Sequence, residues 1–132
     1  MKPENRCGIR GQSLVETAII LPIFIILIMG IIDFGLLFNN YILISNAARE
    51  GARQAALGSD DASVVQTVQN MTTTLDISNM TITVTPGYAL RNHGTEVKVT
   101  VQYENTILTP LIDKFFPGGK ALLKSESIMR VE

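Results

Sequence analysis

Residues 11–30 read GQSLVETAIILPIFIILIMG, and this stretch decides what kind of chain the rest must be. From Leu14 to Phe38 the only ionisable side chains are Glu16 and Asp33, and from Ala18 to Ile32 there are none. As a helix rising about 1.5 Å per residue, Leu14–Phe38 reaches roughly 37 Å, enough to cross a hydrocarbon core of about 30 Å. The run therefore predicts a single transmembrane segment over residues 14–38. A cleaved secretory signal also joins a basic start to an apolar stretch, but this stretch is too long for one. FGLLFNNYIL follows it in place of a small-residue A-x-A cleavage pattern.

The flanks give an orientation. Lys2, Arg6 and Arg10 precede the segment against Glu4 alone, and the first basic residue beyond Phe38 is Arg49. The positive-inside bias then predicts a single-pass protein with a cytoplasmic N-terminus and an extracytoplasmic C-terminal part. Cys7 is the one cysteine, so no disulfide forms within the chain. It also precedes the apolar run, whereas the acylated cysteine of a secreted lipoprotein follows one. With 132 residues and a net charge of -1, one small domain outside the membrane is expected and nucleic acid is a poor partner.

The helical pattern continues past the membrane edge. Tyr41, Ile44, Ala48, Ala52 and Ala55 recur every three or four residues, with Asn46, Arg49, Glu50, Arg53 and Gln54 on the other faces. Gly58 supplies a stop. One helix is thus expected from Ser13 to about Leu57, with Pro22 and the glycines at 30, 35 and 51 as places where it could bend. Residues 58–132 then read as an α+β head. Ser59 or Asp60 caps a second helix through about Leu75. Three strands follow, over Met80–Thr85, Thr95–Tyr103 and Leu123–Val131. Their alternation, with Val97, Val99, Val101 and Tyr103 against Glu96, Lys98, Thr100 and Gln102, predicts an antiparallel sheet with one wet face. Thr109-Pro110 opens a short helical turn that Pro117-Gly118-Gly119 closes.

Little in the head invites chemistry. His93, the lone histidine, sits in an N-H-G turn setting, and it would lie across the membrane from Cys7. Asp60-Asp61 suits helix capping and dipole charge better than a calcium site. Phe115-Phe116 suits covering one end of the sheet. No phosphate loop or nucleophile elbow is present. The reading is a non-enzyme with no cofactor, no metal and no small-molecule substrate.

The two carboxylates of the apolar run need their own account, because a charge in hydrocarbon is unfavourable by roughly 2.5 kcal/mol or more at the bilayer centre. Ser13-x-x-Glu16 fits a capping box, with Ser13 as N-cap and Glu16 closing back on it. Asp33, about 25 Å farther along the helix, is either shallow enough to be hydrated or met by a donor on a neighbouring helix. Asn40, two turns on, would extend the same polar face.

Capping does not explain why Gly11 stands five residues before Glu16, directly after a basic leader. A leader, Gly11, Gln12 as a new terminus, Glu16 as the fifth residue and an apolar helix at once after it resemble the class III signal of type IV prepilins. GQSLVETAIILPIFIILIMGIIDFGLLF followed by ISNAAREGARQAA closely resembles the TadE-like family of tight-adherence (Flp) pilus pseudopilins, and SIMRVE resembles that family's last strand. The resemblance is strongest over residues 11–57. It implies a leader of residues 1–11, cleavage between Gly11 and Gln12 by a prepilin peptidase, and a mature helix over 12–57 that packs with other pilin-like subunits and the assembly platform. Glu16 would then meet a terminal amine. Asp33, Arg49, Glu50 and Arg53 are the other charged residues of the stretch and the candidates for assembly contacts. Thr17 is a departure, since Flp-type signals often carry an aromatic there. Because major Flp pilins are little more than the helix, the head implies a minor or accessory subunit. An uncleaved single-pass scaffold of a secretion or envelope complex is the alternative.

Overall fold

The computed structural model describes residues 7–109, 114 and 117–132. Its architecture is α+β: a long helix α1 (Cys7–Ala56), a short helix α2 (Asp61–Met71) and three strands, β1 (Met80–Thr85), β2 (Glu96–Thr106) and β3 (Lys120–Arg130). The strands form one antiparallel sheet in the order β1-β2-β3. The expected turn after Thr109 and the pair Phe115-Phe116 fall largely outside the described residues.

α1 spans 50 residues and begins upstream of the expected Ser13 start. No residue between Cys7 and Ser13 lacks an amide proton, so the i→i−4 ladder runs on through the serine instead of stopping there. Ser13 is consequently not an N-cap, and its carbonyl accepts a bond from the Thr17 hydroxyl at 2.9 Å. At the other end the Ser59 amide donates to Gln54 O (3.1 Å) and the Gly58 amide to Ala55 O (3.2 Å). These are the paired bonds of a Schellman ending, and they need the left-handed backbone that Gly58 adopts at φ 88°.

α2 ends at Met71, short of the expected Leu75. Thr72-Thr73-Thr74 explains the early stop, since consecutive β-branched residues are poor helix formers. The Thr72 hydroxyl turns back on Val68 O at 2.8 Å. Leu75 is buried all the same.

The core lies between α1, α2 and one face of the sheet. Ile44, Ala47, Ala48, Ala52 and Ala55 of α1, Val64 and Val68 of α2, and Val97, Val99 and Val101 of β2 are all fully buried. Tyr41 is not part of it, being 44% exposed. The small side chains let the helix lie close against the sheet. A Cβ built at Gly51 would stand 2.8 Å from Val68 Cγ2 and 3.3 Å from Val99 Cγ1. Gly51 is thus a packing glycine and not a bend.

Gly51 meets Val99, and Asn40 Nδ2 donates to Asn105 Oδ1 at 2.7 Å, so β2 runs antiparallel to α1 while β1 and β3 run with it. The β2–β3 connection therefore lies at the end where α1 enters the head. The β1–β2 connection lies at the far end, beside Ala56, whose carbonyl accepts from the Glu132 amide at 3.1 Å.

Candidate assembly surface on the long helix

From Gly11 to Ile32 every described side chain is exposed except at half-buried Gly30. This part of α1 stands clear of the head, and it is the one helix of the described residues long and apolar enough to cross a membrane. The first α1 side chain to meet the head is Asp33.

At the start of this bare stretch the Gly11–Gln12 bond lies within the helix, with nothing within 4 Å of a Cβ built at Gly11. Packing does not require glycine there, and within a helix glycine is less favourable than alanine by about 1 kcal/mol. Glu16 is exposed one turn on, beside Gln12, Val15 and Ile19, and none of the ion pairs of the described residues includes it.

Asp33 is held by the head itself. Its two carboxylate oxygens accept from the backbone amides of Leu108 (3.1 Å) and Thr109 (2.9 Å), just beyond β2. No sequence pattern points to these donors, because backbone amides are available at any residue and the contacts join residues 75 and 76 positions apart. Asn40, the residue expected on the same face, binds Asn105. Glu16 and Asp33 project about 100° apart around an ideal helix and are some 25 Å apart along it, so the structure does not bring them together.

On a side of α1 turned away from Asp33, a shallow apolar hollow is lined by Leu27, Gly30, Ile31, Phe34, Gly35 and Phe38. The Phe34 and Phe38 rings lie 6.0 Å apart. Farther along, Glu50 binds Arg53 Nη1 (3.5 Å) and Gln54 Nε2 (3.2 Å), while Arg49 is exposed. These residues form a charged outer side to the same helix that buries Ala47, Ala48, Gly51 and Ala52 inward.

At the far end of the head, the side chain of Arg91 is covered, only 3% exposed. Its guanidinium donates to Ser59 O (2.7 Å), to Pro86 O (3.1 Å) and to the Asp61 carboxylate, which also accepts from the Tyr88 amide (3.1 Å). Asp61, expected to serve the α2 dipole, thus also ties α2 to the β1–β2 connection. His93 is exposed in that connection. Among the described residues no three His, Cys, Asp or Glu side chains gather as metal ligands.

Residues 11–53 match the family described as TadE-like protein, the family whose pattern the sequence resembles. Residues 11–53, about a third of the chain, are thus a TadE-like segment, which points to involvement with the tight-adherence pilus. No curated protein and no solved structure matches the chain. The match covers the bare part of α1 and the inward-facing Ala47, Ala48 and Ala52, and it stops before the head's α2 and sheet.

Proposed function

We propose that the chain is a minor pilin-like (pseudopilin) subunit for biogenesis of a tight-adherence pilus. In this reading it is held in the bacterial inner membrane by the apolar run within residues 14–38, with its head outside the cytoplasm. A prepilin peptidase cuts it between Gly11 and Gln12. Gly11 carries the reading: it lies within the TadE-like match, in a helix that gains nothing from a glycine and with open space around it. A protease reads extended backbone, and glycine both lowers the cost of unwinding the first turns of α1 and lets an enzyme approach the scissile bond. Glu16 then lies at the fifth position of the new terminus, where an amine from this or another subunit can answer its charge. The Leu27–Phe38 hollow and the Arg49, Glu50 and Arg53 side chains are the surfaces offered to sister subunits and the assembly platform.

The test is Gly11→Leu. Leucine removes the close approach and strengthens the helix, so the variant should persist as full-length precursor while the parent loses eleven residues, read by intact mass. A mature-sized Gly11→Leu product would overturn the assignment. An uncut parent in cells that hold the peptidase would favour the single-pass scaffold.

A further inference from the structure

We propose that the start of the β2–β3 connection, Ile107–Thr109, rests in the membrane interface and that Asp33 holds it there. The inference depends on the single-pass reading of α1 and adds a second membrane contact, made by the head.

The β2–β3 ladder closes at Thr106 and Lys120, with one further bond from the Ile107 amide to Gly119 O at 3.1 Å. The amides of Leu108 and Thr109 are the next two and have left the sheet. In open water the amide of exposed Leu108 would be served by solvent, whereas that of Thr109, 2% exposed, needs a partner from the protein in any setting. Here both are taken by one carboxylate, which lies in the most apolar stretch of the chain. A backbone amide needs a partner from the protein where water is scarce, and the interior of a bilayer leaves few other acceptors.

The depth follows from the helix. Leu14–Ile32 covers about 28 Å at 1.5 Å per residue, close to the hydrocarbon thickness of about 30 Å, so Asp33 falls at its outer edge. Leu108 is bonded to Asp33 and therefore lies at the same level. Its side chain is 63% exposed, as is that of Phe34 at 65%, so this end of the head continues the apolar surface of the bare helix. If the span extended to Phe38, Leu108 would sit deeper still. β2 and β3 run along α1, so the opposite end of the head, with Leu90, is carried away from the membrane. Asp33 thus acts as an acceptor that lets a strand end enter the interface without unpaired amides, and Leu108 is the side chain that enters.

The chain contains no tryptophan, so single tryptophans report depth cleanly. Full-length protein is reconstituted in phosphatidylcholine vesicles brominated either near the headgroup end or near the methyl end of the acyl chains. Three exposed positions are compared in otherwise native chains: Leu108→Trp, Leu90→Trp and Ile23→Trp. Quenching of Ile23→Trp by deep bromines tests the membrane reading alone. Given that, Leu108→Trp should be quenched several-fold more than Leu90→Trp by shallow bromines, and adding Asp33→Leu should bring it down to the Leu90→Trp level. Ile23→Trp quenched with Leu108→Trp no more quenched than Leu90→Trp overturns the membrane contact. Quenching at Leu108→Trp that survives Asp33→Leu overturns the role of Asp33. Failure of Ile23→Trp to be quenched removes the single-pass reading on which the inference depends.

Discussion

A methyl group added at Gly51 would stand 2.8 Å from Val68 Cγ2, nearer than real side-chain carbons come, and its neighbours Val64, Val68 and Val99 are buried. Overpacking of this kind costs about 1–3 kcal/mol, against about 1 kcal/mol that alanine returns in helix propensity. Gly51→Ala should therefore lower the thermal midpoint of the detergent-solubilised protein modestly, and Gly51→Leu should lower it much more; an unchanged midpoint for both would mean that α1 and α2 are not packed this closely. Asp33 allows a similar local test. Hydrogen bonds to a charged acceptor contribute about 1.5–3 kcal/mol, so Asp33→Leu should speed amide exchange at Leu108 and Thr109 by about tenfold or more. Exchange at Val99, deep in the ladder, should be unaffected. Asp76 accepts from the Ser78 hydroxyl (2.7 Å) and amide (3.0 Å), and the hydroxyl contact first, then the amide, holds its carboxyl below the ordinary aspartate value of 3.8. A lowered value means that the charged form belongs to the folded turn. Asp76 is the N-cap of a short 3-10 turn, Ile77–Asn79, whose capping is thus complete above the ordinary aspartate range and lost as pH falls through the lowered value, which an NMR titration of Asp76 checks.

The Arg91 side chain ties Ser59, Asp61 and Pro86 together through part-buried bonds, so Arg91→Ala should leave the Ser59 and Pro86 carbonyls short of a donor, at about 1–3 kcal/mol. Proteolysis should then start in the β1–β2 connection, and equal resistance of variant and parent would show the clamp to be unnecessary. The sequence did not disclose this clamp, because an arginine in a polar loop reads the same whether it is solvated or buried. The strands were legible for the opposite reason. β2 alternates valine with Lys98, Thr100 and Gln102 so regularly that only one face could be inward, and Val97, Val99 and Val101 are indeed fully buried. In α1 the inward face was legible at Ile44, Ala48, Ala52 and Ala55 and misread at Tyr41, which keeps the helical spacing yet stays 44% exposed although its neighbour Asn40 reaches β2. The early end of α2 turned on three threonines whose branching outweighed the periodicity. Asp33 was recognised as unusual from its apolar surroundings, yet its donors were backbone amides of a distant loop, and no side-chain pattern announces those.

Assembly tests belong to the whole molecule. Glu16→Gln keeps the size and hydrogen-bonding capacity of the side chain and removes only its charge. The variant should insert and lose its leader like the parent, yet fail to co-purify with other pilin-like subunits, and normal co-purification would leave the charge without an assembly role. The head is not hung from the membrane helix by a linker: α1 passes unbroken from the bare stretch into the core, and the sheet is fastened to its side from Asp33 and Asn40 through Gly51 to Ala56. Head and anchor consequently share one axis and one azimuth. Drawing the helix outward by a given distance lifts the head by that same distance. Turning it by a single residue position sweeps the sheet's wet face through about 100°. Whatever packs against the bare helix in the membrane therefore also chooses the compass direction in which the head faces outside it.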